Sequence, residues 1–207
     1  MLAMRHETTT ELEAFAQIYE RDVELISVRR PAAAAQAVAG QLLAERLDLQ
    51  VDWIQAPEQA DGVAAALADG FSGAPPAALV DEIELAVELL TELLDCRAVG
   101  VRLTTLRQPM CPRFHQDQVP CRLLITFAGP ATEWIAAGQV DLPRLRDRTC
   151  TADPVLAGGR VQQLETGAWS LLKGGAWRDG YAGVVHRSPA ASGSAGRLLA
   201  SFDPIFQ

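Results

Sequence analysis

Apolar positions recur every three or four residues along much of the first half of the chain, and nearly every second residue in stretches of the second half. The clearest helical run is 77–94, where Leu79, Ile83, Ala86, Leu89, Leu90 and Leu93 share one face behind Pro75-Pro76. That spacing predicts an amphipathic helix packed on a core or on a second copy of the chain. Three more helices are predicted. One covers 11–19 behind a capping threonine at or beside Thr10, and another is the alanine-rich 32–46 with Pro31 in its first turn. The third covers 60–69 and stops at Gly70 and the Ser72-Gly73 loop. One strand, 23–28, interrupts them. From Arg97 onward short β-rich runs dominate, at 98–106, 122–127, 168–172, 184–185 and 198–202, with Gly and Pro between them. Many short strands separated by turn residues indicate a sandwich or barrel. The pattern therefore predicts one α+β domain, with a mostly helical portion (1–95) packed on a β-rich core (96–207). The Ala/Ser/Gly-rich stretch 190–196 reads as a flexible connection between strands.

Composition narrows the partners. With 207 residues, 49% of them apolar, the chain can bury a sizeable core. A net charge of −8 and a pI near 4.9 argue against nucleic acid or an anionic membrane, since both reward basic patches. The start of the chain does not resemble a secretion signal, and no apolar run reaches the ~18 residues of a membrane span. Four cysteines without disulfide-scaffold spacing fit a reducing cytoplasm.

Candidate chemistry concentrates in the β-rich half. Only three histidines are present: His6 at the terminus, expected to be frayed, His115 and His186. In an extended segment residues two apart face the same way, so His115 and Asp117 offer an imidazole and a carboxylate side by side. His186 would complete a two-histidine, one-carboxylate set that covers one face of a metal and leaves the other open. Arg197 follows after ten intervening residues and opens the last strand. Its fork is suited to a ligand carboxylate.

The order His-x-Asp, distal His, then Arg resembles the Fe(II)/2-oxoglutarate-dependent dioxygenase superfamily. The flanking strands Gly167-Ala168-Trp169-Ser170-Leu171-Leu172 and Gly196-Arg197-Leu198-Leu199 resemble its strands as well. The resemblance implies a double-stranded β-helix (jelly-roll, cupin-like) core, with Fe(II) on His115, Asp117 and His186 and the 2-oxoglutarate 5-carboxylate on Arg197. It also implies conversion of 2-oxoglutarate, a small-molecule co-substrate, to succinate and CO2, coupled to oxidation of a second substrate of unknown identity. Many members carry Ser two residues after the arginine, where this chain has Leu199. More narrowly, Cys111-Pro112-Arg113-Phe114-His115-x-Asp117, Gly129-Pro130-Ala131-Thr132-Glu133-Trp134 and His186-Arg187-Ser188-Pro189 resemble a bacterial family of unknown function.

Other residues are weighed beside these. Cys111 and Cys121 flank the His-x-Asp unit as soft ligands that would favour zinc, and the rival function is a non-redox zinc protein of metal homeostasis. Arg113, Arg187 and Trp134 are candidates for the pocket rim or lining, as are Trp169 and Trp177. Lys173 and Arg122 are fallback partners for the co-substrate carboxylate. No phosphate-binding glycine loop or Gly-x-Ser-x-Gly elbow is present.

Overall fold

The computed structural model describes residues 4–57, 59, 62–71, 73–190 and 196–206. The strands are β1 (Arg5–Thr9), β2 (Val23–Val28), β3 (Gln50–Gln55), β4 (Ala98–Leu106), β5 (Cys121–Ala128), β6 (Glu133–Ile135), β7 (Gln162–Gln163), β8 (Trp169–Lys173), β9 (Val185–Arg187) and β10 (Arg197–Ile205). The helices are α1 (Ala33–Ala44), α2 (Gly62–Ala68), α3 (Ala77–Leu94) and α4 (Leu142–Arg146), with a 3-10 helix at Leu12–Tyr19.

Seven strands form one sheet in the order β1-β2-β8-β5-β10-β4-β3, parallel only between β1 and β2. A smaller sheet, β7-β6-β9, faces it. Leu25, Leu124 and Leu172 of the large sheet meet Trp134 and Val184 across the gap, which closes the jelly roll around an apolar plug. The opposite face of the large sheet carries Val101, Leu123, Phe127, Trp169 and Phe202. These pack against Phe15 and Ile18 of the 3-10 helix, Leu42 of α1 and Ile83 and Leu90 of α3. Leu79, Ile83, Ala86 and Leu90 are buried there, so the apolar face of α3 is spent on this core. Removing such side chains from water is the main stabilising term, roughly 1.5–3 kcal/mol for each fully buried Leu, Ile or Phe.

Three expectations change. The boundary near residue 95 does not separate helices from sheet, because β1, β2 and β3 supply three of the seven strands. β1 and β3 escape a pattern reading because both lie at sheet edges, where backbone pairing rather than continuous apolar character defines the strand. His6 is held in β1, its ring edge-on to Trp134 at 4.8 Å, and is not frayed. The 11–19 helix is of 3-10 type, with the Glu11 N–H donating to Thr9 Oγ1 just before it. Of the predicted helix 60–69, residues 60 and 61 lie outside the described residues, as do 191–195 of the connecting stretch. Among the described residues no helix is long and apolar enough to cross a membrane.

Candidate metal centre

Two chain segments meet at the open end of the jelly roll. His186 lies in the middle of β9, paired with Trp134 on β6. On its other side it exchanges both backbone hydrogen bonds with His115, N to O at 3.0 Å each way. That one bridge docks the segment before β5 alongside the small sheet. The turn carrying Asp117 is fixed from the other side, where Gly175 N donates to Asp117 O at 2.7 Å and Gly174 N to Pro120 O at 2.9 Å. The approach is close enough to require glycine, since a Cβ on Gly174 would stand 2.0 Å from Val119 O.

The ligand atoms of His115, Asp117 and His186 converge to within 4.8 Å of one another. His186 Nε2 is 3.3 Å from Asp117 Oδ2, and His115 Nε2 is 3.5 Å from Oδ1. Each Nδ1 lies 3.0 Å from a backbone carbonyl, that of Arg113 for His115 and of Val184 for His186. Those carbonyls accept only, so each Nδ1 carries a proton and donates it. Both Nε2 atoms then aim at a carboxylate. Unprotonated, they would set lone pair against lone pair unless a cation sits between them. The donor set therefore fits a divalent metal: two imidazoles tautomerised by their outer hydrogen bonds, one carboxylate, and an uncovered side. Hydrogen bonding to Asp117 raises the His115 pKa, against its burial. Burial pushes Asp117 up, but hydrogen bonds from His115 and His186 and the charge of Arg122 outweigh it and hold the carboxyl well below the usual range.

Arg122 ties this carboxylate to the large sheet. Its Nη1 donates to Asp117 Oδ2 at 2.7 Å, while Nε and Nη2 grip Asp203 of β10, both at 2.7 Å. It is thus a positioning residue for Asp117, and its fork is filled. Replacing Arg122 with alanine leaves two carboxylates partly uncompensated. Breaking a fully buried pair costs about 3–5 kcal/mol; with Asp203 a third exposed, about 2 kcal/mol is expected for the metal-free protein. Denaturant unfolding with and without Ni(II) checks this. The loss should shrink with metal bound, because the ion then offsets Asp117; an unchanged loss would make Arg122 purely structural.

Arg197 lies in the same cavity, with Leu124, Leu199, Thr132, Ser188, Thr104 and Cys111 among its walls. The arginine is 5% exposed. Its Nη2 donates to Ser188 Oγ at 3.0 Å and Nη1 to Thr132 Oγ1 at 3.4 Å, and among the described residues no carboxylate pairs with it. Burial pulls its pKa down to about 10. A Cβ on Gly129 would lie 2.7 Å from Arg197 Cα, so this glycine, at φ +83°, lets β10 begin where it does.

The remaining sequence candidates fall elsewhere. Lys173 is buried on the far side, donating to Glu20 O at 2.7 Å and lying 5.1 Å from the Trp177 ring; burial lowers its pKa to about 8. It does not reach the cavity. Trp134 belongs to the plug between the sheets, and Trp169 lies under Arg30 and donates to Glu82. Arg113 supplies the carbonyl that orients His115, while its guanidinium turns away to the carbonyls of Asp147 and Arg148. Arg187 borders the cavity, but its guanidinium is taken by Glu133 and Asp153 over the Phe114 ring. Cys121 is buried and pushed up to about 12 by that burial, whereas Cys111 reaches the cavity wall. Neither sulfur joins the three-ligand cluster. Ser188, Asp203 and Thr104 were not picked out by sequence. Period-two alternation from His186 reaches Ser188, and from Arg197 it reaches Asp203, so that signal was available.

The model of the family described as "Protein of unknown function (DUF1826)" matches residues 9–203, nearly the whole chain and all of this site. The chain belongs to this family. No curated protein sequence matches it. Among solved structures, the dioxygenase for auxin oxidation of rice is similar at TM-score 0.52 and 12% identity, over 98% of this chain and 83% of that one. The dioxygenase for auxin oxidation 1 of Arabidopsis thaliana, solved as a 2-oxoglutarate binary complex, is similar at TM-score 0.59 and 9% identity, over 99% and 93%. At such identities the likeness establishes the fold: this member of the family has the double-stranded β-helix core.

Proposed function

We propose that this protein is an Fe(II)- and 2-oxoglutarate-dependent oxygenase of the hydroxylase type. One observation carries the reading: a buried arginine without a carboxylate partner among the described residues shares its cavity with an open three-ligand metal site. A molecule with a carboxylate for the guanidinium and a chelating 2-oxo acid for the metal satisfies both, and 2-oxoglutarate is such a molecule. The Arabidopsis structure with 2-oxoglutarate on the same fold supports it. Bound Fe(II) supplies oxygen activation. Overall, 2-oxoglutarate, O2 and a substrate C–H bond give succinate, CO2 and a hydroxylated product. The chain's own part is to hold the ion through His115, Asp117 and His186 and to align the co-substrate through Arg197. Leu124 and Leu199 add apolar wall to the same cavity. The four cysteines are free, in keeping with a reducing cytoplasm as the place of action.

The zinc-only reading has less behind it, since no thiolate joins the cluster and Arg197 would stay without a counter-charge. The test is succinate formation from 2-oxoglutarate under air by anaerobically purified, Fe(II)-loaded protein. Turnover requiring both Fe(II) and O2 is expected, and none from the zinc-loaded form. Protein that fills with zinc and gives no succinate when reloaded with Fe(II) would overturn the assignment.

A further inference from the structure

Several buried polar side-chain atoms lack a hydrogen-bond partner among the described residues, and one of them belongs to a residue lining the metal cavity: Thr104 Oγ1. Thr104 is only 6% exposed, so this hydroxyl has no solvent to turn to. Leaving such a group unpaired costs about 1–3 kcal/mol, a cost that a ligand with an acceptor atom removes. Register places it near Arg197. On β10 and β4 Arg197 is paired with Leu106, and Leu199 with Thr104. Side chains two apart on a strand share a face, so Thr104 is the diagonal cross-strand neighbour of Arg197, within reach of a long side chain. The Arg197 guanidinium already spends one donor on Ser188 and another on Thr132, which leaves its remaining N–H groups for an anion. A carboxylate has about four acceptor sites, more than the free part of that fork fills. Leu199, two residues after Arg197 and on the same face, offers no hydroxyl, while its partner across the ladder does.

We propose that the Thr104 hydroxyl and the Arg197 guanidinium together seat the distal carboxylate of 2-oxoglutarate, so that the site selects a dicarboxylate over a 2-oxo monocarboxylate. The hydroxyl that completes the seat comes from β4, the strand paired with the one that carries the arginine. The proposal rests on the oxygenase reading.

The experiment is anaerobic titration of Fe(II)-loaded protein with 2-oxoglutarate and with 2-oxopentanoate, which has the same chain length but no distal carboxylate. Binding is read by calorimetry and by the visible charge-transfer band. Thr104→Val should weaken 2-oxoglutarate roughly 10- to 100-fold, the range for a hydrogen bond to a charged group, and leave 2-oxopentanoate unchanged. Thr104→Ser should bind both as wild type does. Without ligand, Thr104→Val should melt no lower than wild type, because it gives up only an unpaired hydroxyl. Equal weakening of both ligands, no weakening of 2-oxoglutarate, or a ligand-free valine variant that melts lower would each overturn the assignment of Thr104 while leaving the oxygenase reading in place. Wild-type protein that binds 2-oxoglutarate no better than 2-oxopentanoate overturns it too. If wild type binds neither compound, both readings fail.

Discussion

Replacing His186 with alanine is expected to abolish metal retention and, with it, all succinate formation from 2-oxoglutarate. The imidazole is one of three ligands, and no other His, Cys, Asp or Glu among the described residues joins their cluster. Removing merely an outer hydrogen-bonding partner of a metal ligand costs 10–100-fold in affinity, so loss of the ligand itself must cost more. The fold should survive, because the backbone bonds between positions 115 and 186 do not involve the ring. Metal content after dialysis, set beside circular dichroism of the same sample, separates the two effects. A well-folded His186→Ala protein holding one equivalent of Fe(II) would sink the centre as described.

The second large effect has opposite signs in two measurements. Arg197→Met keeps length and apolar bulk but removes a buried charge that no carboxylate among the described residues offsets. Replacing buried ionic groups with apolar ones of similar volume is often neutral or stabilising by 1–4 kcal/mol, so the ligand-free variant should unfold at equal or higher denaturant concentration. Its affinity for 2-oxoglutarate should drop about 100-fold or more, since two charge-assisted hydrogen bonds at about 1.5–3 kcal/mol each are lost. Metal binding should not change. A ligand-free variant weaker than wild type would mean that the contacts to Thr132 and Ser188 hold the barrel together, and that Arg197 is a structural tie.

How far the sequence carried the site can be followed residue by residue. His115 and Asp117 were legible because two positions apart in an extended chain is a local relation. His186 was legible because the β-rich half holds no other histidine to choose. Arg122 illustrates what is not local. Its grip on both Asp117 and Asp203 depends on β5 lying beside β10, and strand order in a jelly roll crosses the chain in ways no spacing records. Lys173 fails for the same reason: alternation could assign it to a face only once the neighbours of β8 were known. In the fold, α3 was read from its own periodicity almost to the residue, whereas β7 is two residues long and leaves no pattern to read.

The bridge between His115 and His186 is one residue pair long, and both ladder bonds run between the two metal-binding positions themselves. A slip of one residue along that contact would turn one imidazole through to the other side of the sheet. Strand alignment and chelation are therefore a single decision for this chain. A molecule that folds with the segment misaligned has no centre to fill, and an ion that finds its seat certifies the correct alignment.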